Sequence, residues 1–375
     1  MHPSHCADAD RLDKTGLPRA AFQYTIWEID MKYVALGNSG LTVSELCLGT
    51  MTWGSHNTEA EGHAQMSLAM EHGVNFWDTA EMYPSNPVRV ETFGDTETII
   101  GTWFAKSGGR DRVILASKVS GGGQSVIKSA PISGASLRAG VEGSLRRLQT
   151  DYIDLFQLHW PNRGDYHFRK IWNYAPPSDR DSVTAHMIDV LESAATLIAE
   201  GKIRHIGLSN ETVWGAARWL HVAESLGLPR MVSVQNEYSL LCRQFDSDWA
   251  ELSAMENMPL LAFSPLSVGL LSGKYAGDVT PDGTRRSYTP DLSGRITPYV
   301  FEAVAAYMGI AARHQIDPCQ MAIAWCLTRP FPVIPIIGAT SLGQLAVNIA
   351  AADVTLPDKV IAEISAVHRA FPAPY

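Results

Sequence analysis

Short apolar runs alternate with longer amphipathic segments along the chain from Met31 onward. Each run is rich in β-branched or aromatic residues and ends in a polar or glycine-bearing turn, which is typical of a strand buried on both faces. We therefore predict eight strands. They lie within residues 46–53, 74–80, 113–119, 153–160, 203–210, 231–238, 260–266 and 333–340.

The segments between these runs have the 3.6-residue periodicity of helices. The segment 187–203 has one apolar stripe and closes at Gly201, a residue type that commonly ends a helix. The segment 135–150 places arginines opposite a stripe formed by Leu137, Val141, Leu145 and Leu148. Eight strand–helix units predict an α/β fold, a closed (β/α)8 TIM barrel, with residues 32–44 as an N-terminal β-hairpin across its bottom.

A doubly wound open sheet is the alternative architecture for this alternation. If such a sheet bound a dinucleotide, a glycine-rich turn would normally follow its first strand. No such turn follows residues 46–53, so the pattern favours the barrel.

Length and composition are those of a globular protein. The chain has 375 residues, of which 46% are hydrophobic and 18% charged, and barrels of this length commonly form one domain. We predict a single domain over residues 31–375. Residues 1–30 lack the apolar core of a signal peptide and are too acidic for a typical transit peptide, so we expect a flexible N-terminal extension.

Charge and cysteine usage limit the classes of partner. The net charge of −9 and a pI near 5.7 argue against a nucleic-acid partner. No apolar stretch approaches the roughly 18 residues of a membrane span, so we expect no membrane partner. Five scattered cysteines without a CxxC pair indicate reduced thiols and a cytoplasmic location. The oligomeric state is left open.

Three connections are much longer than the others, at about 120–134, 161–182 and 267–297. All three follow predicted strands, so a barrel would place them at its C-terminal face. Active sites of TIM barrels lie at that face.

Polar residues at the ends of the second, third and fourth predicted strands suit one reaction. Asp78 ends the second strand and Tyr83 follows it, Lys118 lies in the third, and His159 lies in the fourth. A lysine beside a phenol lowers the phenol's pKa, a carboxylate holds the lysine, and a neutral histidine orients a substrate oxygen. Alone, each residue has an ordinary interpretation, such as a turn cap, a solvated strand end or a core histidine. Together they predict a site that protonates a carbonyl while hydride arrives from a donor.

The chain resembles the aldo-keto reductases, most closely the Tas-type bacterial branch near the potassium-channel β-subunits. The resemblance covers about residues 31–369. It rests on "LGNSGLTVSELCLGTMTWG", "DTAEMYP", "ASKVSG", "LRRLQTDYIDLFQLHWP", "GKIRHIGLSNET" and "SVQNEYSLL". It implies that Tyr83 is the proton donor, that Lys118 tunes it, that Asp78 anchors Lys118 and that His159 orients the carbonyl. We call these four residues the tetrad.

The resemblance also implies an NADPH site. Ser209, Asn210 and Gln235 match residues that bind the nicotinamide carboxamide, and Phe263 stands where channel β-subunits stack a tryptophan on that ring. The segment "FSPLSVGLLSGKY" lacks Walker-loop spacing but resembles a pyrophosphate-covering loop. Its matching residues are Ser264, Leu266, Gly269 and Lys274.

A second phosphate site is implied where "GATSLGQLAVN" opens a helix, because helix N-termini bind phosphate. Four residues match the adenosine 2′-phosphate site and favour NADPH over NADH: Gly338, Thr340, Gln344 and Asn348. Arg285 is the best-placed phosphate clamp, with Arg286 adjacent. Val347 departs from relatives that have glutamate there, which affects adenine packing.

The leading interpretation is an NADPH-dependent reductase of aldehydes or ketones. A nicotinamide-sensing regulatory subunit is the alternative, because channel β-subunits carry the same tetrad. A metal-dependent barrel hydrolase would need ligands such as HxH on the first strand, which has none, so no metal is expected. The small-molecule carbonyl substrate is not identified. Candidate lining residues are Trp53, Met82 and Trp172, with Tyr166, Phe168 and Tyr174 nearby.

Overall fold

The computed structural model describes residues 29–85, 87–122 and 127–375. Most of the predicted N-terminal extension, and residues 123–126 of the first long connection, lie outside the described residues. Ile29 packs against the core, and the Asp30 amide donates to Asp353 Oδ1 at 3.3 Å.

A hairpin precedes the main sheet, as predicted. Its strands β1 (Tyr33–Ala35) and β2 (Thr42–Ser44) pair antiparallel. Gly37 turns between them with φ +55°, and a Cβ atom there would lie 2.7 Å from the carbonyl oxygens of Asn257 and Val232. The hairpin therefore needs glycine at this position to approach the barrel.

Eight parallel strands close into a barrel within the described part of the chain. The last strand pairs with both the seventh and the first, which closes the ring. This confirms the predicted (β/α)8 fold. The strands are β3 (Cys47–Gly49), β4 (Phe76–Asp78), β5 (Ile114–Val119), β6 (Ile153–Leu158), β7 (Ile203–Ser209), β8 (Met231–Glu237), β9 (Leu260–Phe263) and β10 (Val333–Ile337).

Helices surround the barrel and contribute most of the large hydrophobic core. Several begin with side-chain caps, such as the reciprocal hydrogen bonds of Thr58 and Glu61. They are α1 (Glu59–Glu71), α2 (Asp95–Ser107), α3 (Gly134–Leu148), α4 (Arg180–Ala199), α5 (Val213–Leu226), α6 (Asp248–Glu256), α7 (Arg285–Tyr288), α8 (Val300–His314), α9 (Pro318–Leu327), α10 (Leu342–Ile349) and α11 (Asp358–Ala370). No helix among the described residues is both long and apolar enough to cross a membrane.

The barrel interior is apolar near its N-terminal end and polar near its C-terminal end. Leu36 and Val43 of the hairpin join a separate buried cluster with residues such as Phe76, Ala116 and Leu155. Because side chains alternate along a strand, the next inward positions on β4, β5 and β6 are two residues further on. Those positions are Asp78, Lys118 and Gln157. The sequence order therefore places a polar layer at the C-terminal opening of the barrel, here called the mouth.

Seven of the eight barrel strands end earlier than the predicted runs, whereas β5 ends at Val119 as predicted. The run 260–266, for example, stops as a strand at Phe263, because Ser264 takes a left-handed φ of 56° and Pro265 follows. The residues of these runs that lie beyond the observed strands belong to loops at the mouth. The three long connections follow β5, β6 and β9 and lie at the C-terminal face, as predicted.

Candidate active site

The buried ion pair of Lys118 and Asp78 is the centre of the site. Lys118 is 0% exposed, and its Nζ lies 2.6 Å from Asp78 Oδ2 and 2.8 Å from the Thr79 carbonyl oxygen. Adjacent parallel strands β4 and β5 present these side chains to the same interior. A fully buried ammonium requires such partners, so the pair fixes the lysine in one position.

Tyr83 and His159 complete the group above this pair. Lys118 Nζ donates to the Tyr83 hydroxyl at 3.4 Å, and it lies 4.9 Å from the centre of the phenol ring. The His159 ring meets the Tyr83 ring edge-on, with centroids 5.9 Å apart. The structure thus brings together all four residues of the tetrad, although Tyr83 comes from a loop and His159 follows the end of β6.

The pKa values of Tyr83 and Lys118 depend on burial and on the charges around them. Burial raises the pKa of Tyr83, the charge of Lys118 offsets only part of that effect, and Asp78 adds to it. The predicted effect of Lys118 on the Tyr83 pKa has the expected direction, although burial outweighs it. Burial would lower the pKa of Lys118, but Asp78 and Tyr83 outweigh it and raise that pKa. The phenol is protonated and the lysine charged near neutral pH.

His159 is neutral in this environment. Burial, followed by the charge of Lys118, holds its pKa well below the ordinary value of 6.5. Neither ring nitrogen has a hydrogen-bond partner among the described residues, and Nδ1 is fully enclosed. A neutral imidazole with a free nitrogen can donate one hydrogen bond to a ligand oxygen.

Two glutamines support the carboxylate of Asp78. Gln157 Nε2 and Gln235 Nε2 donate to Asp78 Oδ1 at 3.1 and 2.8 Å. The sequence interpretation missed Gln157, yet it lies two residues before His159 on β6, so strand periodicity points it into the barrel. Gln235 was expected at the nicotinamide. Its amide nitrogen contacts Asp78 instead, while its Oε1 accepts no hydrogen bond from any described residue.

The end of β7 carries Ser209 and Asn210. Ser209 Oγ donates to the Gln235 carbonyl oxygen at 3.0 Å, and Asn210 Nδ2 donates to the His159 carbonyl oxygen at 2.9 Å. Asn210 Oδ1 is buried without a partner in the described part of the chain. A buried acceptor without a donor is costly, so this position suits a ligand amide N–H.

The loop after β9 carries most of the other predicted cofactor residues. Phe263 and Leu266 are half-buried, and Ser264 has a left-handed backbone. Gly269 has φ +96°, and a Cβ atom there would lie 2.6 Å from the Lys274 side chain. Lys274 is exposed, so its ammonium remains available to an anion.

The start of α10 is open to solvent. Gln344 Oε1 accepts from the Thr340 amide at 3.0 Å and from the Thr340 hydroxyl at 3.1 Å, which leaves the exposed Gln344 Nε2 with no partner among described residues. Asn348 Nδ2 donates to the Gly338 carbonyl oxygen at 3.2 Å. Gly338, Thr340 and Gln344 therefore lie at the start of α10, and Asn348, near its C-terminal end, bonds back to Gly338.

The two neighbouring arginines behave differently. Arg286 donates to Asp278 and, at 2.9 Å, to the Val279 carbonyl oxygen, so it holds its own loop. The side chain of Arg285 has no hydrogen bond to any described residue, and burial with the charge of Arg295 lowers its pKa to about 10. Its charge lowers the pKa of Tyr83. Among the described residues, no side-chain hydrogen bond or ion pair joins Arg285 to the start of α10.

The predicted substrate residues are separated. Met82 packs with Ala80 and Trp160 next to Tyr83. Trp53 is 0% exposed and donates to Gln65 Oε1 at 3.1 Å, so the structure places it in the core below the mouth. Trp172 is 68% exposed. In the same loop, Tyr166 contacts Tyr174 edge-on, and Phe168 has a left-handed φ of 55°.

Comparison with known proteins identifies the family of this chain. The sequence model of the Aldo/keto reductase family matches residues 45–369. The chain belongs to the aldo/keto reductase family. Protein tas of Escherichia coli strain K12 is 44% identical over 357 residues, which cover 92% of this chain and 100% of that protein.

Other members of the aldo/keto reductase family align over similar lengths. The uncharacterized oxidoreductase YrpG of Bacillus subtilis strain 168 is 32% identical over 351 residues, covering 92% of this chain and 97% of that protein. Norsolorinic acid reductase stcV of Emericella nidulans is 30% identical over 339 residues, covering 87% and 78%. These matches confirm the Tas-type resemblance, and the protein is an oxidoreductase of this family.

Aldo/keto reductases generally use nicotinamide cofactors, and the residues present fit one. The free Oδ1 of Asn210 and the free Oε1 of Gln235 are two acceptors near the tetrad, where a carboxamide offers two N–H donors. Lys274 and the open start of α10 offer positive charge and N–H groups to phosphates.

Proposed function

We propose that this protein reduces an aldehyde or ketone to an alcohol, with NADPH as hydride donor and Tyr83 as proton donor. The observation that carries the proposal is the position of the Tyr83 hydroxyl, 3.4 Å from a buried lysine that Asp78 holds at 2.6 Å. Neutral His159 lies beside the same phenol.

Each residue of the tetrad has a separate task in this proposal. His159 donates a hydrogen bond to the carbonyl oxygen and holds it beside the Tyr83 hydroxyl. When bound, the reduced nicotinamide supplies hydride to the carbonyl carbon. Tyr83 gives its proton to the carbonyl oxygen, and Lys118 stabilises the resulting phenolate until solvent returns a proton. Asp78 keeps Lys118 charged and in place.

We further infer how the chain holds the cofactor. Ser209, Asn210 and Gln235 bind the carboxamide, and Phe263 contacts the nicotinamide ring. The pyrophosphate lies under the loop that contains Ser264, Leu266, Gly269 and Lys274. The adenosine 2′-phosphate binds at Gly338, Thr340, Gln344 and Asn348, with Arg285 as its guanidinium partner. This set favours NADPH over NADH.

The same proposal covers organisation and location. Residues 31–375 act as one catalytic domain. The four cysteines within the described ranges are free thiols, which supports a cytoplasmic protein. The substrate is a small carbonyl compound; one relative is named as a reductase of norsolorinic acid.

The direct test compares Tyr83→Phe with the unchanged protein. NADPH and NADH are titrated by fluorescence, and NADPH oxidation is then followed with a panel of aldehydes and quinones. We expect Tyr83→Phe to lose at least about a hundredfold in turnover, a typical contribution of a general acid. Its affinity for NADPH should change less than about twofold, because the phenol donates to the substrate.

Tyr299→Phe is the matched control, since Tyr299 is 63% exposed and lies outside the tetrad. A large loss of NADPH affinity in Tyr83→Phe would contradict the assigned role. NADPH binding without turnover on any compound would favour the cofactor-sensing alternative. Absence of NADPH binding would refute the cofactor assignments.

A further inference from the structure

Glu237, the last residue of β8, joins three segments that are distant in sequence. Arg169, from the connection after β6, donates to Glu237 Oε2 at 2.8 Å. Arg295, from the connection after β9, donates through Nε to Glu237 Oε1 at 2.9 Å. Tyr375, after α11, donates through its hydroxyl to the same Oε1 at 3.2 Å. We call these four residues the Glu237 cluster.

The Glu237 cluster is buried and charged. Burial disfavours the charged form of Glu237, but Arg295 and Arg169 outweigh it and lower its pKa. Both arginines are almost enclosed, with side chains 5% and 12% exposed. A buried carboxylate with two guanidinium partners holds a fixed geometry, because loss of either partner would leave an uncompensated charge.

A chain of hydroxyl groups extends the cluster to the loop after β9. Ser267 Oγ lies 3.1 Å from the Tyr375 hydroxyl and 2.7 Å from Ser239 Oγ. Because Tyr375 donates to Glu237, Ser267 donates to Tyr375 and Ser239 donates to Ser267. Thr297 also donates to the Pro374 carbonyl oxygen, so the segment that ends in Tyr375 is held on both sides.

These contacts fix both ends of one segment. Residues 264–295, here called the β9 strap, contain the predicted cofactor residues Ser264, Leu266, Gly269, Lys274 and Arg285. Ser267 is held near one end of the strap and Arg295 at the other. Both are tied to Glu237, which lies two residues after Gln235 on β8. The strap is therefore anchored to the strand that supports Asp78.

We propose that Glu237 and Tyr375 are positioning residues that anchor both ends of the β9 strap and thereby slow the release of NADPH. The inference rests on the function proposed above. Loss of the Tyr375 hydroxyl frees Ser267 from Glu237 and loosens the strap at one end. The tetrad keeps its own contacts, because none of its four side chains bonds to the cluster. Release should therefore change while proton and hydride transfer do not.

The test uses Tyr375→Phe, which keeps the ring and removes only the hydroxyl. Bound NADPH is displaced by excess NADP+ in a stopped-flow instrument, and the fluorescence decay gives the release rate. We expect release to be about tenfold faster, as for loss of one hydrogen bond to a charged group. The single-turnover rate of NADPH oxidation should stay within about twofold. Tyr299→Phe, the same change at an exposed position, should leave both rates unaltered.

A double-mutant cycle with Ser267→Ala tests whether both residues act through one hydrogen bond. We expect the double variant to release NADPH no faster than Tyr375→Phe alone. If the two substitutions accelerated NADPH release independently, so that their effects multiplied in the double variant, the inference would be overturned.

Three other outcomes would also decide whether the inference holds. An unchanged release rate in Tyr375→Phe would overturn the inference and leave the proposed function intact. Faster release accompanied by parallel losses of single-turnover rate and thermal stability would show a purely structural role and overturn the inference too. If the unchanged protein does not bind NADPH, the proposed function fails first and the inference fails with it.

Discussion

Replacement of Lys118 by methionine isolates the contribution of its charge to proton transfer. The side chains are similar in length, so Lys118→Met removes the ammonium with little change in packed volume. Lys118 Nζ lies 3.4 Å from the Tyr83 hydroxyl oxygen. Two unit charges at that separation attract by about 5 kcal/mol at an effective dielectric constant of about 20. That attraction stabilises the phenolate formed when Tyr83 gives up its proton.

An energy of about 5 kcal/mol corresponds to between three and four decades in rate. We therefore expect the single-turnover rate of NADPH oxidation to fall roughly a thousandfold or more in Lys118→Met. The pKa of Tyr83 should rise further, so alcohol oxidation by NADP+ should require a higher pH. The assay follows NADPH absorbance in a stopped-flow instrument, with the aldehyde that the unchanged protein reduces fastest.

Lys106→Met is the matched control, because the Lys106 side chain is 66% exposed and lies on the outer face of α2. Cofactor affinity and thermal unfolding are measured for both variants. A loss of less than about tenfold in Lys118→Met, with NADPH binding and fold retained, would refute the view that this charge tunes Tyr83.

Two further predictions concern the cofactor and pH. Gln344→Ala should weaken the binding of NADPH about tenfold or more but that of NADH less than about twofold, as for the loss of one hydrogen bond to a charged phosphate. Equal weakening of both affinities in a fluorescence titration would contradict the 2′-phosphate assignment. His159 has a lowered pKa, so the unfolded chain binds this proton first, and its contribution to stability is present above pH 6.5 and lost as the pH falls. In urea unfolding between pH 7 and 5.5, the free energy of unfolding should therefore fall less steeply with pH for His159→Gln than for the unchanged protein, by at most about 1.4 kcal/mol per pH unit. Identical slopes for the two proteins would show that His159 is not held neutral.

The sequence was informative wherever a regular repeat decides the geometry. Period-two alternation placed Phe76 and Asp78 on one face of β4, and the same rule would have identified Gln157 from His159. The residues at which strands end were harder to predict, because strand pairing and turn chemistry determine them. Ser264 stops β9 by its backbone conformation, which an apolar run does not reveal.

Burial and long-range contacts lay beyond the sequence. Trp53 follows β3 as a mouth residue should, yet its indole enters the core and bonds to Gln65. The raised pKa of Tyr83 depends on how much water the folded loops exclude. The Glu237 cluster joins residues 169, 237, 295 and 375, and no local pattern connects such distant positions.

The hairpin that closes the N-terminal end of the barrel has a kinetic consequence. In the described part of the chain, Leu36 and Val43 fill that end, so the open end of the barrel is the mouth above the tetrad. Under the function proposed above, a nicotinamide held by Asn210 and Gln235, which are almost fully buried, would share this entrance with a carbonyl compound beside Tyr83. The reactant that enters first is then the last to leave. Under the proposed function, we therefore expect NADPH to bind before the carbonyl compound and the alcohol to leave before NADP+.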